Sequence, residues 1–154
     1  MWRECLRAQR VSADDIRETE RDLGVTLPDE LVRFMKVHQG MALDAPVTDA
    51  TGRPLRFGHF YSFTDNEAGD STLRERCLMY RRRGYPDSLV PFASAVDNQA
   101  HLALDYVGSP SRPAVVFVYP DGDAEATGYW STSPVAADVA SLLALLDPTY
   151  GARA

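Results

Sequence analysis

Apolar residues recur along the chain in two rhythms: a period near 3.6 in its first half and at its end, and a period of two between them. Ser12 is placed to cap a helix, with Asp15 three positions on, as in a capping box. Ile16, Thr19, Glu20 and Leu23 follow at helical spacing, with Ile16 and Leu23 marking the buried side. Gly24 then supplies the left-handed residue that ends a helix at least cost. The pattern predicts a helix over 12–23. A second helix is expected directly after it. Pro28 suits a first helical position, because its missing N–H would be unpaired there anyway. Asp29 and Glu30 lie where the helix dipole favours negative charge. Leu31, Phe34, Met35 and His38 keep the i, i+3, i+4, i+7 rhythm, and Gly40 closes it. The short link Gly24-Val25-Thr26-Leu27 makes the two helices a corner, with Val25 and Leu27 pointing inward.

The rhythm fails from Met41 to Pro54, where Asp44, Pro46, Asp49, Gly52 and Pro54 predict a loop or loose hairpin. Leu55, Phe57, Phe60, Tyr61 and Phe63 favour strand. An acidic turn over 65–70 leads into a third helix at about 71–83, with Leu73, Cys77 and Tyr80 on its apolar side. Gly84 and Pro86 stop it. Beyond lies the sheet. Leu89 to Ala93 is a short apolar strand. His101 to Asp105 alternates, with Leu102 and Leu104 on the core face. Ala114 to Tyr119 is apolar on both faces, as a covered central strand requires. Thr127 to Ser131 is the next strand. Turns at Asp97-Asn98-Gln99 and Asp121-Gly122-Asp123 are too close together for βαβ crossovers, so the neighbours are antiparallel. The last helix is expected to start with Ser133 as cap and Pro134 at its first position. Val139, Leu142, Leu143 and Leu146 form its buried side, and Asp147-Pro148 ends it.

The 154 residues suit one domain with a real core, here a core of about 12–147 with a loose tail over 148–154. No apolar run approaches the roughly 20 residues that cross a bilayer. The start, Met1-Trp2-Arg3-Glu4-Cys5-Leu6-Arg7, has no apolar signal core. Both features point to the cytoplasm. Cys5 and Cys77 are the two cysteines, too few for a disulfide framework and read as reduced thiols. The net charge of −6 disfavours phosphate backbones and anionic membranes as partners and favours basic proteins. Arg74, Arg76, Arg81, Arg82 and Arg83 run against that average. They suit a solvated helix face and its C-terminal end, and no aromatic platform accompanies them to make a nucleic-acid surface. Lys36 is the one lysine in the sequence, the arginine-rich usage of a GC-rich bacterial genome.

Catalysis needs a nucleophile, a base or a metal gathered in a pocket. The chain has no GxSxG elbow, no phosphate-binding GxxxxGK[ST] loop and no HExxH helix. His38, His59 and His101 lack metal-ligand spacing, so no cofactor or metal is expected. Asp97, His101 and Asp105 are the nearest approach to an acid–base or metal cluster. Their spacing is also what plain strand alternation produces, which would put His101 and Asp105 on a solvent face. Asp121, Asp123 and Glu125 resemble part of a calcium loop but lack its glycine and closing glutamate; they read as a solvated turn.

The order of motifs resembles the SUKH superfamily. Glu20-Arg21-Asp22-Leu23-Gly24 running into Thr26-Leu27-Pro28 and a second helix is similar to that family's opening. Gln39-Gly40 stands where asparagine–glycine is usual. Leu89-Val90-Pro91-Phe92-Ala93 looks like its apolar-Pro-Phe strand, followed here by Asp97-Asn98 without the usual glycines. The strand ending in Leu104-Asp105, the strand 115–119 and the closing helix complete the order from about Ser12 to Leu146. The resemblance implies a single α+β domain with a central, largely antiparallel sheet flanked by about four helices. It carries no catalytic residues. Leu23, Gly24, Leu27, Pro28, Pro91 and Phe92 look structural.

The resemblance also implies a protein-binding role, in bacteria that of an immunity protein neutralising a cognate toxin, often a nuclease. A basic toxin would suit the acidic balance. Acids beside aromatic anchors are the candidate contacts: Tyr61, Asp65, Glu67, Asp70, Asp97, Asp121, Asp123 and Trp130. Nucleic acid and membrane are not expected partners, and the protein is expected to be a monomer or weak dimer. Two other functions stay open: a regulatory or scaffold protein binding a cellular partner, and a small-ligand binder or hydrolase using His101 and its neighbouring acids.

Overall fold

The computed structural model of the protein describes residues 2–4, 10–39, 41–43, 47–48, 52, 54–55, 57–64, 72–95, 100–120 and 130–147. Helix α1, Ala13–Leu23, begins as its sequence dictates: the Asp15 N–H donates to Ser12 Oγ at 3.2 Å, and the Ser12 N–H donates to the Asp15 carboxylate at 2.7 Å. Gly24 ends it with φ 71°, and its N–H donates to the Glu20 carbonyl at 2.8 Å. The Glu20 carboxylate then reaches forward to accept the Leu27 N–H at 2.7 Å, which sets the corner into α2, Asp29–His38. Pro28 lies just before α2, as its cap. The α2 face that enters the core carries Leu31, Val32, Phe34 and Met35.

Nine strands are described: β1 Trp2–Glu4, β2 Met41–Leu43, β3 Val47–Thr48, β4 Pro54–Leu55, β5 Phe57–Phe60, β6 Leu89–Ala95, β7 His101–Asp105, β8 Ala114–Pro120 and β9 Trp130–Ala136. Seven form one sheet in the order β1-β2-β5-β6-β7-β8-β9, and β3 pairs with β4 as a separate hairpin. Every described pair is antiparallel, as the closely spaced turns require. Helix α3 spans Leu73–Arg82, capped by the Thr72 hydroxyl, and α4 spans Val139–Leu146. With α1 and α2 they complete an α+β domain.

Two expectations about elements are corrected. Strands β1 and β2 were not foreseen, because each is only three residues long and too short to show a period. Ser133-Pro134 does not open the last helix. β9 runs through it, with Pro134 opposite Val116. Proline is tolerated there because β9 is the last of the described strands in the sheet order, and edge positions are where a strand accepts a residue without an N–H. The helix starts five residues later, where the Asp138 carboxylate accepts the Ser141 N–H at 2.9 Å and satisfies an otherwise orphaned donor.

The sheet is covered on both faces. Val115 and Phe117 of β8 turn toward the larger cluster, with Leu23, Leu31, Phe92, Leu102, Leu104 and Leu142. Val116 and Val118 turn the other way, onto Tyr85, Leu89 and Ala103, with Tyr80 and Trp130 at the margin. This second face overturns the solvent-facing reading of β7: His101 is 1% exposed and Ala103 is fully buried. Ala103 is small, so the rings of Tyr80 and Tyr85, from the end of α3 and the turn after it, pack down on this side. Cys77, on the inward side of α3, is buried, and burial pushes its thiol up to about 11.

Candidate protein-binding surface

The charged surface that the described residues assemble lies between α1 and the start of α3. Asp15, Glu18, Phe63, Thr64, Thr72 and Glu75 line a groove of about 210 Å³, below the roughly 300 Å³ at which ligand pockets begin. Helical spacing places Asp15, Glu18 and Asp22 along one side of α1. Thr19 faces inward from the same helix and its hydroxyl donates to the Asp15 carbonyl at 2.9 Å. Across the groove, Arg74 binds Glu18 and also Asp22, the latter at 3.3 Å. The Glu18 hydrogen bond, with the field of Asp22 and Glu75, holds the Arg74 guanidinium more firmly protonated. Donation from the Ser12 N–H and hydroxyl holds the Asp15 carboxyl below its ordinary range. The groove thus sets the carboxylates of Asp15, Glu18 and Glu75 beside the buried Phe63.

Thr64 and Thr72 both line this groove. Asp65, Glu67 and Asp70 lie between them in the sequence. They, together with Asp97, Asp121 and Asp123, lie outside the described residues. So do Cys5, Glu125 and the 148–154 tail.

The two aromatic candidates take other places. Tyr61 is 2% exposed. Its hydroxyl meets His101 Nδ1 at 2.7 Å, and the Arg76 guanidinium lies over its ring, 4.5 Å from the centroid. Burial pushes the Tyr61 phenol well up. As a surface anchor Tyr61 is therefore corrected: from the residue after β5 it ties into β7 from inside. Trp130 is half-buried and sits edge-on to Tyr85 at 5.0 Å and Tyr80 at 5.9 Å. Its indole nitrogen is buried with no hydrogen-bond partner, as is the Tyr85 hydroxyl.

His101 is thus part of a packed ring cluster and not of an open acid–base site. Asp105 accepts the N–H of Val107 at 3.0 Å, an ordinary turn contact. His59 engages the Ser94 hydroxyl at 2.8 Å, and His38 the Phe34 carbonyl of its own helix at 2.9 Å. Among the described residues no group of three His, Cys, Asp or Glu side chains could hold a metal ion. No described helix is long and apolar enough to cross a membrane. What sequence reasoning missed was the groove itself. Asp15 was legible as the capping-box partner of Ser12, but the meeting of Glu18 and Asp22 with Arg74 joins residues over fifty positions apart.

Fold and surface together define a class: an antiparallel α+β domain with a packed interior and an acidic groove on its helical side. The chain belongs to the SMI1 / KNR4 family (SUKH-1), which matches residues 10–144. Comparison with curated proteins and with solved structures gave no match.

Proposed function

We propose that this protein works by binding another protein, as a bacterial immunity protein that neutralises a basic toxin by direct contact. Membership of the SUKH-1 family supports a binding role. The observation that carries the choice of surface is the α1–α3 groove, lined by Asp15, Glu18 and Glu75. A net charge of −6 speeds encounter with a basic partner and disfavours acidic ones.

Affinity capture from the native host, read by mass spectrometry, tests the reading. Recovery of one basic toxin domain, released as salt rises, is the expected result. Recovery of housekeeping proteins instead would favour the regulatory alternative. With the partner in hand, Glu18→Lys combined with Glu75→Lys should slow association about tenfold. Charge reversal at Asp65, Glu67 and Asp70 should act in the same direction. An unchanged on-rate in both sets would remove this groove from the contact.

A further inference from the structure

A second open groove, of about 570 Å³, lies at the C-terminal end of α1, where the corner into α2 meets the turn between β7 and β8. It falls within the size range of ligand sites, which the α1–α3 groove does not. Glu20 and Arg21 line it from α1, Val25 and Thr26 from the corner, and Tyr106 and Pro110 from the turn. These parts are held in place. The Tyr106 hydroxyl donates to the Thr26 carbonyl at 2.8 Å, and Val25 packs on the core. Glu20 Oε2 accepts the Leu27 N–H at 2.7 Å, and among the described residues no cation pairs with the Glu20 carboxylate. Its charge reaches across the groove: burial and then the field of Glu20 push the Tyr106 phenol well up.

We propose that this groove takes an arginine side chain from the surface of a basic partner protein, its guanidinium on Glu20 and its stem along Tyr106 and Pro110. Three features select a cation. The Glu20 carboxylate has no charge partner of its own. The negative end of the α1 dipole lies at the groove, since α1 runs for eleven residues and ends at Gly24. The Tyr106 ring attracts a cation placed over its face. An anionic group would meet the first two as repulsion and gain nothing from the third. Arginine fits better than lysine, because its planar head can hydrogen-bond a carboxylate and stack on a ring at once. Arg21 is the opposing charge on the rim. It is 73% exposed and its Nε donates to Asp22 at 3.3 Å, so it is already paired with its neighbour. The choice of occupant rests on the proposed binding of a basic partner, whereas the preference of the groove for a guanidinium can be measured without that partner.

Amide NMR spectra of the whole isotope-labelled chain, titrated with a terminally blocked arginine tripeptide, test it. Shifts centred on residues 20–27 and 106 are expected, saturating with a dissociation constant of about ten millimolar. The corresponding lysine tripeptide should bind more weakly, and a glutamate tripeptide should not bind. Glu20→Gln keeps an acceptor for the Leu27 N–H and should weaken the arginine tripeptide about tenfold. Arg21→Ala should change it in the opposite sense, strengthening it about twofold. No shifts at this groove, or equal binding of the three tripeptides, would overturn the proposal. So would shifts confined to the α1–α3 groove. In complex with a captured basic partner, Glu20→Gln should raise the dissociation constant about tenfold, and an unchanged affinity would overturn the docking role. The tripeptide titration succeeds or fails whatever the capture experiment returns, so this reading and the proposed function can fall separately.

Discussion

Single residues set the helix boundaries, and their contributions can be read one at a time. Gly24 has φ 71°, and a Cβ added there would meet nothing within 4 Å. Gly24→Ala should therefore cost only the left-handed backbone penalty of about 1 kcal/mol, measurable as a lower urea midpoint with an unchanged slope. Arg81 should matter more. One guanidinium nitrogen donates to the Leu23 carbonyl at 3.0 Å and the other to the Asp87 carbonyl at 2.9 Å, so it caps α1 from α3 and holds the following turn. Arg81→Ala should destabilise by about 2 kcal/mol, through two carbonyls left without that donor. Asp15 and Asp138 carry a pH signature. Hydrogen bonds from Ser12 and from Ser141 hold both carboxyls below their ordinary value of 3.8. Each therefore contributes stability that is present above that value and is lost as pH falls through the lower, folded one. Asp15→Asn should lower stability near neutral pH and flatten the acid limb of the stability curve, as followed by denaturant melts.

At the scale of elements, the Tyr61–His101 contact is a buried polar joint between the end of β5 and β7. Tyr61→Phe removes the 2.7 Å bond to His101 while keeping the ring under Arg76. A loss of about 1–2 kcal/mol is expected. Trp130, next to Tyr85 and Tyr80, is placed so that its fluorescence reports disturbance of the same cluster. An unaltered melting curve would mean that the joint is made by packing alone. Helix α4 is the opposite case. Its eight residues include Leu142 and Leu143, both fully buried, and its start depends on Asp138, which Arg112 also binds at 3.0 Å. Leu142→Ala should cost about 2–5 kcal/mol by opening a cavity. Arg112→Ala should cost a few tenths of a kcal/mol or less, since that pair is solvent-exposed on the arginine side.

Across the whole molecule the charge is unevenly distributed. The groove between α1 and α3 carries several carboxylates and an arginine, whereas neither β8 nor β9 contains a charged residue. Binding through the groove should therefore weaken steeply with salt, and titrating sodium chloride in the capture assay checks it. Binding that is indifferent to salt would remove the charged groove from the contact.

Local signals were sufficient for a large part of this fold. The capping box at Ser12, the left-handed glycine at 24, the covered strand expected over 114–119 and the apolar side of α4 each rest on interactions within one turn or one strand, so their sequence spacing carries them directly. Where two local solutions were equally good, tertiary context chose. Ser133-Pro134 makes a sound helix start and an acceptable edge strand, and pairing with β8 decided for the strand. His101 alternates as a surface residue would, and became interior because α3 and Tyr85 cover that face of β7. The groove was illegible for the same reason: Glu18 and Arg74 meet only when the sheet has brought α1 and α3 side by side. The sequence by itself determined α1 to α3, the strands β6 to β8 and the acidic balance. Tertiary packing decided which side chains are inside and where the charges gather, because both depend on contacts between residues distant along the chain.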